Sequence, residues 1–157
     1  MVHSEWSLLP SLEPCLAVVL LGGLLGAPIS AAGQSFAGTV HRVLDGDTVH
    51  LLRETGQLVR VELYGVDAPE RGQPYGAEAR QAIRRAAFRV RVRAVAEGRD
   101  EDGRPHYELR VDGRVLNERL VRDGLAWWKR RQAPEADHLR HLEQQARADD
   151  RGLWAQP

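Results

Sequence analysis

Apolar and polar residues begin to alternate at Ala37, and the pattern from there on predicts five strands. Gly38–Leu44 runs into an Asp-Gly turn, Thr48–Leu52 resumes, and Glu54-Thr55-Gly56 punctuates a hairpin before Val59–Tyr64. Arg89–Val95 and His106–Val111 keep the same period on either side of a charged loop from Gly98 to Gly103. Elsewhere the period is helical. Residues 75–88 place Ala79, Ile83 and Ala86 on one face. Val115–Arg122 reads as a short helix stopped by Gly124. Pro134–Asp149 reads as a longer one, with Leu139, Leu142 and Ala146 aligned and Gly152 beyond its end. Together these elements predict an α+β domain, a partly open five-stranded OB-fold β-barrel with three α-helices.

Residues 1–32 do not share this pattern. They lack Lys and Arg and hold the apolar run Cys15–Gly26, followed by the small residues Ser30-Ala31-Ala32. The segment is expected to be a signal peptide cut before Gly33, leaving a single domain over 33–157 that is secreted or periplasmic, with no stable membrane association. Glu5 and Glu13, where a basic n-region is usual, leave an uncleaved anchor or a different start as alternatives. Cys15 is the only cysteine and precedes the apolar run, so neither a lipid-anchoring thiol nor a disulfide is expected.

Charge excludes one class of partner recognition. The chain carries 22 basic and 22 acidic residues, and loss of Glu5 and Glu13 would raise the net charge only to +2. Attraction for phosphate must therefore come from local arrangement rather than bulk charge. All the basic residues but Lys129 are arginines, a bias that weakens any reading of Arg counts. Lys129, Arg130 and Arg131 form the best local phosphate-binding patch, with a solvated loop as its alternative.

The chemistry concentrates in two acidic turns. Asp45-Gly46-Asp47-Thr48 and Val66-Asp67-Ala68-Pro69-Glu70 each follow an alternating run and bring carboxylates to a strand end. Asp47 and Asp67 are hard oxygen donors suited to Ca²⁺ or Mg²⁺. An EF-hand is excluded, since His50 and Gly56 stand where that loop needs Gly and Glu. Either cluster alone could be a simple turn; their order and spacing favour a site.

The chain resembles the staphylococcal nuclease (thermonuclease) family. The resemblance is carried by Val43–Val49, Leu63–Glu70, Gln73–Ala79, Asp102-Gly103-Arg104, Val115–Glu118, Leu120–Trp127 and Arg151–Trp154. It implies a five-stranded OB barrel with three helices and a Ca²⁺-dependent endonuclease that leaves 3′-phosphate ends on DNA and RNA. By position it implies that Asp47, Asp67 and the Ala68 carbonyl hold one Ca²⁺. It also makes Glu70 the general base and Arg104 a catalytic arginine. The expected partner is single-stranded DNA or RNA, met by a monomer with Lys129 on the substrate.

Several positions depart from that family. Glu62 stands where a second catalytic arginine is expected, five residues before Asp67. Arg60, two residues earlier on the same strand face, is a candidate replacement. Glu101 and Asp102 replace a Lys-Tyr pair, and Lys129 and Gln132 stand where tyrosines are common. Trp127 or Trp128 could stack on a base, although one of them is expected in the core. These departures keep open an alternative: a non-catalytic OB-fold module that binds single-stranded nucleic acid or a protein. His138 and His141 share a helix face, but no third ligand is evident.

Overall fold

The computed structural model describes residues 34–155; the expected signal peptide lies outside the described residues. The elements follow in chain order as β1 (Ser35–Val43), β2 (Thr48–Leu52), β3 (Leu58–Glu62) and β4 (Val66–Asp67), then α1 (Gly76–Ala87). After α1 come β5 (Arg91–Arg99), β6 (Pro105–Val111), β7 (Arg114–Val115), α2 (Leu116–Arg122), β8 (Trp127–Trp128) and α3 (Asp137–Ala148). A short 3-10 turn, Gly152–Trp154, ends the described chain.

The α+β class and the three helices agree with the sequence pattern, but the strand count does not. Six antiparallel strands form the main sheet in the order β3-β2-β1-β5-β6-β7, and β4 pairs with β8 in a separate ribbon. The expected five-stranded barrel is also not closed by a ladder. β1 bends at a bulge between Val40 and Arg42, so its first half pairs with β5 and its second with β2. That coiling brings the end of β3 to β6, where a single parallel bridge, Leu63 to Tyr107, joins them.

The ladder stops there for a local reason. Gly65 turns at φ +72°, a left-handed conformation that diverts the chain from β3 into β4. The Asn117 side chain, buried at the start of α2, bonds across the gap instead. Its Oδ1 accepts from the Leu109 N–H at 3.0 Å, and its Nδ2 donates to the Tyr64 and Tyr107 carbonyls at 2.9 and 3.1 Å.

The core lies between the curled sheet and the helices. Val40, Val43, Val49, Leu51, Val61, Leu63 and Leu109 meet Ile83 of α1 and Leu120 and Val121 of α2, all nearly inaccessible to water. Each such side chain contributes roughly 1.5–3 kcal/mol through burial. Leu139 and Ala146 of α3 are buried as expected, and Trp128 packs on the core. The Trp128 indole N–H donates to the Ala133 carbonyl at 2.9 Å, which settles one tryptophan as structural. His138 and His141 sit on the exposed side of α3.

Candidate active site

The first acidic turn is shaped from within. Asp45 Oδ1 accepts the Asp47 N–H at 3.2 Å, a local turn bond that fits Asp45 for support rather than ligation. The Thr48 hydroxyl donates to Asp47 Oδ1 at 3.0 Å, and the Ala68 N–H donates to Asp47 Oδ2 at 3.2 Å. That last bond joins the two acidic turns, which lie 21 residues apart in sequence. Burial pushes the Asp47 carboxyl up to about 6 against the pull of the Ala68 N–H, and the neighbouring Asp45 adds to the rise. A cation beside Asp47 would relieve that cost.

Gly46 allows the approach. A Cβ built there would lie 2.6 Å from the Ala68 Cβ and 2.7 Å from the Ala79 Cβ, both short and rigid. Gly46→Ala is therefore expected to force the turns apart, lowering stability by about 1–3 kcal/mol. Urea denaturation checks it; an unchanged stability would refute the close contact.

The second turn presents the remaining candidates unequally. Asp67 is exposed at the end of β4, opposite Trp127 of β8. Lys129, expected on the substrate, faces Asp67, with Nζ 3.5 Å from Oδ1. Such an exposed pair is worth at most about 1 kcal/mol, so Lys129 is readily released. Glu70 is exposed, and reciprocal bonds fix its backbone: its N–H donates to Gln73 Oε1 at 2.7 Å, and the Gln73 N–H to its carbonyl at 3.0 Å. Arg104 lies in the β5–β6 loop, with its guanidinium 3.3 Å from Asp102 and facing solvent. The structure thus unites Asp47 with the Asp67–Ala68 segment, places Glu70 on the loop leading out of it, and leaves Arg104 on a separate loop.

Residues outside the sequence-based set tie these parts together. Gln132, placed by sequence among positions that often stack on bases, is a bridge. Its Oε1 accepts the Gly65 N–H at 2.6 Å and its Nε2 meets His106 Nδ1 at 2.7 Å. Arg71 and Arg80 hold the first turn through the Leu44 and Val43 carbonyls, at 3.0 and 3.2 Å. Glu62 pairs with Arg60 at 2.9 Å. Arg60, Glu62 and Gln132 stand out in the sequence as departures from the family pattern; His106 is a lone histidine in an alternating strand and carries no pattern of its own.

Among the described residues no group of three or more His, Cys, Asp or Glu gathers to hold a metal. The donors expected from the sequence, the Asp47 and Asp67 carboxylates and the Ala68 carbonyl, are all hard oxygens, and burial falls most heavily on Asp47. That donor set fits Ca²⁺ rather than a soft transition metal.

Comparison with known proteins finds relatives that match most of the chain. A family model described as staphylococcal nuclease homologue matches residues 60–156. The chain is 36% identical to Protein ParB of Escherichia coli, over 82% of this chain and 77% of that protein. It is 34% identical to a micrococcal nuclease of Shigella flexneri, over 96% and 89% of the two chains. It is also 34% identical to an uncharacterized endonuclease of Escherichia coli, over 75% and 76%.

Proposed function

The chain belongs to the staphylococcal nuclease family, and from that premise we propose that it is a Ca²⁺-dependent endonuclease that hydrolyses phosphodiester bonds of single-stranded DNA and RNA. The observation that carries the reading is the Ala68 N–H to Asp47 bond, which brings two acidic turns together with Glu70 two residues beyond. Asp47, Asp67 and the Ala68 carbonyl would hold one Ca²⁺. When bound, the ion supplies positive charge that offsets the phosphate and polarises it toward attack. Glu70 takes the proton from the attacking water; its exposed carboxylate, on a backbone fixed by Gln73, is free to receive it. Arg104 donates to a phosphoryl oxygen as charge builds there, after leaving its exposed partner Asp102. Lys129, released from Asp67, binds a neighbouring phosphate. The protein works as a monomer outside the cytoplasm, after loss of residues 1–32.

The test is incubation of the 33–157 chain with single-stranded DNA and with RNA, with Ca²⁺ and with chelator. Chelator-sensitive cleavage above that of an Asp47→Ala/Glu70→Gln control is expected, and its absence would sink the reading. One observation favours a second reading, a non-catalytic nucleic-acid-binding module: the Lys129 ammonium already rests on Asp67. That reading expects salt-dependent binding without turnover and indifference to Glu70→Gln.

A further inference from the structure

His106 is one of the few buried polar side chains, only 7% exposed. Its Nε2 atom has no hydrogen-bond partner. Two carboxylate oxygens flank that atom just beyond bonding reach, Asp100 Oδ2 at 3.8 Å and Glu62 Oε2 at 3.9 Å. The other ring nitrogen meets Gln132 Nε2 at 2.7 Å. The Gly65 N–H can only donate, and it reaches Gln132 Oε1 at 2.6 Å, which fixes the oxygen end of the amide. The amide NH₂ therefore donates to His106 Nδ1, and the neutral ring carries its proton on Nε2. A metal ion at Nε2 would require the opposite tautomer, with an Nδ1 proton against the amide NH₂. The cluster suits a proton between two carboxylates rather than a bound cation.

Each of those carboxylates holds a segment that bears an arginine. Asp100 Oδ1 accepts the Arg104 N–H at 2.7 Å, and Glu62 Oε1 accepts from Arg60 Nε at 2.9 Å. Arg60 is gripped by Nε alone; its two terminal nitrogens make no hydrogen bond to the described residues. Those nitrogens present a planar pair of donors of the kind that takes phosphate oxygens. The grip also has a direction. Glu62 lies opposite Thr48, whose hydroxyl bonds Asp47, so Glu62 draws the Arg60 side chain toward the acidic turns. The distance to cover along the strand is about 7 Å, within reach of a long side chain.

We infer that Arg60 binds the scissile phosphate from the β3 side of the site, and that Glu62, faced by the His106 Nε2–H, is the residue that positions it. This assignment rests on the nuclease reading. It explains how a carboxylate is tolerated beside a phosphate site: Arg60 offsets its charge and His106 faces its second oxygen.

The test is a double-mutant cycle on the chain, read as kcat and KM for cleavage of single-stranded DNA. Arg60→Ala is expected to lower kcat about a hundredfold or more, with KM changed only a few-fold. Arg60→Lys recovers part of that loss, since an ammonium lacks the fork. Glu62→Gln is expected to lower kcat about tenfold alone and to have no further effect on top of Arg60→Ala. The two side chains are 58% and 36% exposed, so neither variant is expected to lose its fold. Losses that multiply independently, or faster cleavage by Glu62→Gln, overturn the positioning role. An unchanged kcat in Arg60→Ala, with Glu70→Gln still slowing cleavage by decades, overturns the assignment of Arg60 alone. Cleavage that is absent, or indifferent to Glu70→Gln, overturns the nuclease reading and this assignment with it.

Discussion

Glu70→Gln is expected to slow Ca²⁺-supported cleavage by about two to four decades, the range associated with loss of a positioned general base. The loss should fall on kcat. Glu70 is exposed and its side chain bonds nothing among the described residues, so the amide should leave stability unchanged. The backbone bonds to Gln73 that fix residue 70 also survive the change. Ca²⁺ affinity should hold as well, because the donors proposed for the ion are Asp47, Asp67 and the Ala68 carbonyl. Asp47→Ala is the contrasting case, in which calorimetric Ca²⁺ binding falls together with activity. Steady-state kinetics with parallel Ca²⁺ titrations separates the two. A Glu70→Gln protein within threefold of the unaltered rate would remove Glu70 from the mechanism.

The two acidic turns of the candidate site were legible from spacing, because each follows a strand whose alternation is regular, whereas the roles given to Asp47, Asp67, Ala68, Glu70 and Arg104 rest on the family resemblance. Asp47 and Asp67 are named by the turns they occupy, and the fold delivers those turns to one place through Gly46 and Ala68. The periodic elements were equally plain: α1, α2 and α3 fall inside the predicted spans. What was not legible has a physical reason in each case. β4, β7 and β8 are two residues long, too short for any period to show. β5 continues through Gly98, where the sequence suggests a loop, because Gly98 packs against the Tyr64 ring. Lys129, expected on the substrate, also lies beside Asp67, a partner 62 residues away that its basic run does not announce. Gln132 and His106 act through partners 67 and 26 residues away, and no local pattern records such partners. Glu62 read as a lost arginine; in three dimensions it is half of a pair with Arg60.

Asn117 is the residue whose loss is expected to cost the fold most. It was visible in sequence only as part of a longer matching run, but it performs the work of a missing ladder between β3 and β6. Asn117→Ala leaves the Leu109 N–H buried without an acceptor and removes the donor to the Tyr64 and Tyr107 carbonyls. The Tyr107 carbonyl still accepts from the Tyr64 N–H at 2.8 Å, which leaves two groups unsatisfied; at about 1–3 kcal/mol each, with the small cavity, they amount to about 3–5 kcal/mol. That is a large share of the stability of an ordinary domain, roughly 5–15 kcal/mol. Urea denaturation should show the fall, or the variant should fail to accumulate as folded protein. Asn117→Asp keeps the prediction testable in either case. The introduced carboxylate retains the acceptor for Leu109 but turns a negative charge on two carbonyls, so its folded-state pKa must rise above the unfolded value. A group raised in this way contributes most below its unfolded pKa and loses that contribution as pH climbs through the folded one. Asn117→Asp should therefore be strongly destabilised at neutral pH and recover relative to the unaltered protein as pH falls toward about 4. The site should register the same loss, because Tyr64 precedes the Gly65 turn that presents Asp67. A stability change below about 1 kcal/mol in Asn117→Ala would show that the Leu63–Tyr107 junction holds without this side chain.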